Sequence, residues 1–180
     1  KLIEGSVDYD SQTNTIFYKD KSAGVVLQLD KTSSMVSEMS LITAFFKYVI
    51  NSANVGYPKS TKPILFIEEP EAHLHPSKQL LFAEILGEIV KTDSVRVAIS
   101  SHSNYIFNKL NNMIMAKELD HNKYSAYVLK KCKGKGGSTG RLLKTDITGT
   151  DDENFSDVSD QLYNERLSII SKMNKKNGKK

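Results

Sequence analysis

The chain has 180 residues, 39% hydrophobic and 26% charged, with 25 Lys and Arg against 21 Asp and Glu for a formal net charge of +4. That size and mixture suit one soluble domain, or a large part of one, with a real core; they exclude a disordered polyelectrolyte, and no apolar run nears the roughly 18 residues that a membrane span needs. A single cysteine, Cys132, excludes an intrachain disulfide framework, and with no signal-peptide core in the opening KLIEGSVDYD it points to a reducing cytoplasm.

The first residue is Lys, not Met, so the expectation is that the chain begins inside a longer protein. Over residues 2–30, the bursts TIFY (15–18) and VVLQLD (25–30) flank the turn composition KDKSAG, which predicts a β-hairpin. Ser37 reads as an N-cap, and Met39, Ile42, Phe45, Phe46 and Val49 recur at helical spacing, predicting a helix over about 37–53. Residues 32–36, just before it, are hydroxyl-rich. At a helix N-terminus such a loop suits an anion, and equally serves as a plain Ser/Thr cap. Residues 54–63 form a turn-rich connector.

Next come four apolar residues, 64–67, bounded by Pro63 and Pro70, which read as a strand buried on both faces. Glu68 and Glu69 stand at its C-terminal end. Carboxylates there are costly unless a metal, a partner or a reacting water uses them, and ligands of open α/β sheets sit at the carboxyl ends of strands. Pro76 opens a helix to about Val90, with Leu80, Leu81, Ile85, Leu86 and Ile89 predicted to face the core. A second buried strand over 94–100 ends in Ser101-His102-Ser103. A strand–helix–strand unit makes the two strands parallel, which brings Glu69 and His102 to one edge. A carboxylate beside an imidazole is the composition of a working site.

The remainder reads as a short helix over 103–110, strands over 113–116 and 124–129, a flexible GKGGSTG loop (134–140) and a helix over 155–173 with a solvated lysine-rich tail. Tyr105, Phe107 and Tyr163 are expected in the core or at edges. No window satisfies the phosphate-binding pattern G-x-x-x-x-G-K-[ST]; five residues after Gly134 comes Thr139.

The form IEEPEAHLHP at residues 67–76 resembles the Walker B strand of ABC-type ATPases, in the branch containing the OLD and RecF-like ATPases of the AAA family. The resemblance covers roughly 32–116. It implies an α/β fold, part of a P-loop NTPase with a mainly parallel sheet flanked by helices and a small N-terminal antiparallel hairpin. In one domain, residues 1–31 would be the hairpin region, 32–116 the signature, Walker B, D-loop and switch core, and 117–180 the C-terminal strands and helix. It implies ATP and Mg²⁺ as cofactors. Glu68 would support Mg²⁺, through a water because Glu replaces the usual Asp. Glu69 would orient or deprotonate the attacking water, and His102 would be the switch histidine at the γ-phosphate. The loop Thr32-Ser33-Ser34-Met35-Val36 would be the signature loop, with Ser33 and Ser34 gripping ATP on the opposite subunit, although the usual glycines are missing. Residues 72–75 would be the D-loop.

The resemblance further implies a homodimer closed around ATP, with DNA-related or anti-phage work, a nucleic-acid or nuclease partner, no membrane and a cytoplasmic location. Lacking a P-loop, the chain alone is expected to be inactive. Two rival readings are a metal-dependent hydrolase using Glu69, Glu71, His73, His75 and His102, and a non-catalytic interaction module on the same fold.

Overall fold

The computed structural model describes residues 3–50, 62–132, 134 and 136–177. By internal contacts the chain divides into two compact units, Lys1–Leu110 and Asn111–Lys180.

The first unit opens with three antiparallel strands in the order β1 (Gly5–Asp10), β2 (Thr15–Asp20), β3 (Val26–Gln28). The β2–β3 pair is the predicted hairpin, and β1 adds a strand to it, with Val7 opposite Tyr18 and both buried. Its turn is organised by Asp20, whose Oδ1 accepts the N–H groups of Ser22 and Ala23 at 2.8 Å, and is completed by Gly24 at φ +68°. At Gly5 a Cβ would lie 2.2 Å from Lys19 O, so only glycine lets β1 approach β2 there. Leu29–Lys31 close a 3₁₀ turn instead of extending the strand to residue 30.

Helix α1 (Ser34–Ala44) starts earlier than predicted. Ser33, not Ser37, is the cap: its hydroxyl accepts the N–H of Val36 at 3.4 Å, and the Ser37 N–H is already inside the first turn, donating to Ser33 O. The helix widens into a π-helical stretch, Phe45–Ile50, and Lys47 on it donates to Val7 O and Asp8 Oδ1, both at 2.8 Å, which ties this end to β1. The predicted helix end at 53 and the connector up to residue 61 lie outside the described residues.

Strands β4 (Ile64–Glu68) and β5 (Arg96–Ser100) pair in parallel, as predicted, in register from Ile64 opposite Arg96 to Glu68 opposite Ser100. Between them runs α2 (Pro76–Lys91), capped by His75, whose Nδ1 accepts the N–H of Ser77. Burial on both faces of β4 is not what the structure shows. Leu65 and Ile67 are half-buried, but Ile64 and Phe66 are 67% and 68% exposed, because the described sheet has two strands and no described element covers that face. On α2 the buried positions are Gln79, Phe82, Ala83, Leu86 and Gly87. Of the five residues predicted to face the core only Leu86 is buried, and Leu80 is exposed. Ala83 and Gly87 are small, so this face can approach its neighbours closely and carry Phe82 fully inside.

Helix α3 (Asn104–Met115) absorbs the expected strand over 113–116. Ile106, Leu110, Met113 and Ile114 fall at i, i+4, i+7 and i+8, one buried stripe, and that period outweighs the β propensity of a short apolar run. In the second unit, β6 (Tyr127–Lys131) and β7 (Ser138–Leu142) form a hairpin across the glycine-rich turn, with Gly137 at φ +117°. The predicted strand over 124–129 thus starts at 127, after a 3₁₀ turn His121–Lys123 capped by Asp120. A second small hairpin, β8 (Thr145–Asp146) and β9 (Gly149–Thr150), is held by Asn111, which donates to Thr150 O at 3.0 Å and accepts its N–H at 2.9 Å. Helix α4 (Glu153–Asn177) ends the described chain. Tyr105 and Tyr163 are exposed, not core. Among the described residues the only parallel pair is β4–β5 and the other three sheets are antiparallel, so a mainly parallel sheet is not seen.

Candidate functional site

Because β4 and β5 are parallel and in register, their carboxyl ends form one edge, where Glu68 faces Ser100 across the ladder. One further bond, Glu69 N–H to Ser100 O at 2.9 Å, carries the pairing past the strand end. There the chain reverses. Glu69 takes φ +43°, a left-handed conformation rare for a side chain of this kind, and His73 follows at φ +60°. Two tight turns close over them, Ala72 N–H to Glu69 O and Leu74 N–H to Glu71 O, above a buried Pro70. Strain of this sort persists only where the surroundings enforce it, and it concentrates at working sites.

The reversal leaves Glu69 Oε1 3.7 Å from His102 Nε2, the meeting expected from the strand–helix–strand unit. Both side chains are open to solvent, at 56% and 88% exposure, so their attraction contributes little to stability and leaves them free for a ligand. Glu68 is exposed at the same edge.

What holds the histidine segment is Glu71. Its Oε2 accepts the Ser101 hydroxyl at 2.8 Å and its Oε1 accepts the backbone N–H of His102 at 2.5 Å, while Ser101 Oγ in turn accepts the Ser103 N–H at 3.0 Å. Below it Gln79 makes a second clamp. Its Nε2 donates to Leu74 O at 2.8 Å and its Oε1 accepts the Ser103 hydroxyl at 2.5 Å, in the buried interior. Ser103 Oγ also accepts the Ile106 N–H at 3.1 Å, capping α3. Neither clamp was assigned from sequence. Gln79 was findable, since it lies at i with Phe82, Ala83 and Leu86 at i+3, i+4 and i+7, and a polar side chain in a buried stripe implies partners. Glu71 has only its place two residues past the acid pair to mark it.

Ser33 and Ser34 sit exposed at the N-terminus of α1. The Ser33 oxygen accepts Val36 N–H, which leaves its hydroxyl proton available to a ligand. The turn after β4 touches the same helix, with His73 Nε2 3.6 Å from Glu38 Oε1. His73 and His75 thereby have different partners. Among the described residues no three His, Cys, Asp or Glu side chains come together as a metal cluster, which leaves the hydrolase reading without a described site. No helix among them is long and apolar enough to cross a membrane.

A family model described as "AAA ATPase domain" (AAA_15) matches residues 3–107. Among solved structures, the chain is similar to one described as "Structural biochemistry of ATP-driven dimerization and DNA stimulated activation of SMC ATPases", with a TM-score of 0.55 at 13% identity, covering 91% of this chain and 84% of that one. At that identity the likeness concerns the fold. Curated proteins show no significant match.

Proposed function

The chain belongs to the AAA ATPase domain family, and from that premise we propose that it is the signature-to-switch lobe of an ABC-type ATPase of the OLD/RecF-like branch, working by ATP-dependent dimerisation. The observation that carries this reading is the pairing of Glu69 with His102 at the carboxyl edge of two parallel strands. The residues suit the cofactors. Glu68 and Glu69 are exposed hard-oxygen donors of the kind Mg²⁺ takes, and Ser33 and Ser34 offer hydroxyls and unpaired N–H groups at the positive end of an 11-residue helix, which favours a phosphate. Mg²⁺ when bound supplies neutralisation of charge on the phosphates.

The chain's own part is positioning and proton handling. Glu69 orients the attacking water and takes its proton as the new bond to the γ-phosphorus forms and the bond to the ADP leaving group breaks. His102 Nε2 donates to a γ-phosphate oxygen, where negative charge must be held. Glu68 would hold Mg²⁺, through a water. Ser33 donates to the γ-phosphate of ATP held by a second protomer, so the complete site forms only on dimerisation. Glu71 and Gln79 act through the others, by holding the Ser101–Ser103 segment against the end of β4. DNA-related or defence work, with nucleic acid or a nuclease as partner, is the output we propose for that cycle.

The deciding experiment pairs Glu69→Gln with Ser33→Arg. In the protein supplied with its P-loop, Glu69→Gln is expected to slow hydrolysis by roughly 10²-fold or more while ATP still binds and the ATP-bound dimer persists. Adding Ser33→Arg is expected to abolish that dimer in sedimentation. Turnover near wild type in Glu69→Gln removes its catalytic role, and an ATP-dependent dimer that survives Ser33→Arg removes the signature-loop assignment.

A further inference from the structure

The β6–β7 hairpin is open on both faces. Of its strand residues only Val128 is part-covered; all the others are exposed, with Tyr127, Leu129 and Leu142 at 63%, 72% and 57%. A two-stranded ribbon is marginally stable in water by itself, and one that lays neither face on a core offers its surface to a partner.

Charge says which kind. From Lys123 to Lys144 the sequence holds seven Lys and Arg and no acid. The chain has 25 Lys and Arg against 21 Asp and Glu, so outside this stretch 18 cations face 21 acids. The net positive charge of the protein is therefore the charge of the hairpin and its flanks, which selects a polyanion. The register spreads that charge over both faces. Lys131, opposite Ser138, shares a face with Tyr127, Leu129 and Leu142, whereas Lys130, opposite Thr139, shares the other with Val128 and Arg141. Both lysines are exposed.

A bilayer is flat and meets one face of a ribbon, or takes in an apolar tip. Here Tyr127 and Leu142 pair at the end away from the turn, and the turn sequence is rich in glycine and lysine. A groove with a phosphate wall on either side meets both faces. The B-DNA major groove, about 12 Å wide, admits a two-stranded ribbon, whereas that of A-form RNA is deep and narrow. Five residues of strand, about 17 Å, run along roughly five base pairs.

The turn carries a second sign. Gly134 and Gly137 have φ +77° and +117°, which accounts for glycine there, but Gly136 has no positive φ and no described atom within 4 Å of where a Cβ would lie. Nothing in the described chain requires glycine at 136, and bare backbone at the tip of a ribbon lets an outside group approach closely. We propose that the β6–β7 hairpin is a nucleic-acid arm that enters the major groove of duplex DNA, with Lys130 and Lys131 reaching the phosphates of opposite walls. This gives a surface to the nucleic-acid partner proposed above and rests on that part of the reading, but uses no residue of the ATP site.

Fluorescence anisotropy with a labelled short DNA duplex of mixed sequence, without nucleotide, is expected to show binding that weakens as salt rises. Lys130→Ala with Lys131→Ala should weaken it by at least about tenfold at low salt and reduce the slope of log K against log salt by about 2, one phosphate per lysine. Lys130→Arg with Lys131→Arg should keep both the affinity and the slope. Circular dichroism should be the same for all three proteins, since both side chains are exposed. Neutralising the other lysine-rich stretch, by Lys175→Ala, Lys176→Ala and Lys179→Ala, should leave binding nearly unchanged. An RNA duplex of the same sequence and phosphatidylserine vesicles should both bind more weakly than the DNA. Wild-type protein that binds no duplex DNA overturns the arm and the nucleic-acid partner together. DNA binding that survives Lys130→Ala/Lys131→Ala, or that is lost only with the tail lysines, overturns the arm alone, as does equal or tighter binding of the RNA or the vesicles.

Discussion

Ser101 gives its hydroxyl proton to Glu71 Oε2 at 2.8 Å across 30 residues of chain, and the same carboxylate takes the N–H of His102 through its other oxygen. One side chain thus fixes the peptide from which the histidine projects. Under the proposed mechanism Glu71→Ala should lower kcat by about 10- to 100-fold, the scale at which small misplacements of a reacting group are felt, with ATP affinity nearly unchanged. Glu71→Gln should recover most of the activity. Its amide oxygen can still accept His102 N–H, and the Ser101 hydroxyl can reverse to accept from the amide NH₂. Steady-state kinetics with ATP binding measured separately checks this. A Gln variant as inactive as the Ala variant would show that the charge of Glu71 matters, and would move it from positioning to chemistry.

The 180-residue chain alone should bind ATP weakly and hydrolyse none measurably. Under the proposed mechanism Ser33, Ser34, Glu68, Glu69 and His102 address only the γ-phosphate end and its metal, and no window of the sequence has the glycine-rich pattern whose N–H groups and lysine cradle the β- and γ-phosphates. Titration calorimetry with ATP and Mg²⁺ tests it. Micromolar affinity would mean that another part of this chain holds the nucleotide.

The meeting of Glu69 and His102 was legible because it follows from chain topology: two short strands joined by a 16-residue helix leave little choice but a parallel pair with a shared edge. What depended on side-chain context was harder to read. Ser33 and Ser37 are equally good caps in isolation, and the Leu29–Lys31 turn decides between them by placing Thr32 N–H on Leu29 O and starting the helix at Ser34. An unbroken apolar run cannot say whether one face or two is covered, so the exposure of Phe66 was invisible. Residues 113–116 look like a strand until Ile106 and Leu110 are seen to continue the same helical stripe. Even the Gln79 clamp shows in sequence only as a polar interruption; its partners, Leu74 O and the Ser103 hydroxyl, come from the fold.

Burial pushes the Tyr124 phenol up to about 12. Below its ordinary value of 10.0 both folded and unfolded chains keep the proton. Between about 10 and 12 the unfolded chain ionises while the folded one does not, so stability is lost as pH rises through that window, by up to roughly 2–3 kcal/mol, and levels off above it. Denaturant midpoints across the window should therefore fall more steeply for the wild type than for Tyr124→Phe. Equal slopes would place the phenol in water.

The buried bond from Ser103 to Gln79 should behave as a coupled unit that links the core to the histidine segment. Gln79→Leu keeps the bulk but strands Leu74 O and the Ser103 hydroxyl without their partner, which should cost about 1–3 kcal/mol of unfolding free energy. Ser103→Ala removes the other side of the bond and also the acceptor for Ile106 N–H, the N-cap of α3, for roughly another 1 kcal/mol. Since both variants break the same Ser103–Gln79 bond, the double variant should be less destabilised than their sum, by about 0.5–2 kcal/mol. The size of that shortfall reports how firmly α2 holds the segment carrying His102. Chemical denaturation of the four proteins closes the cycle. Strict additivity would mean that the 2.5 Å contact contributes nothing as a pair, and that the position of His102 rests on Glu71 alone.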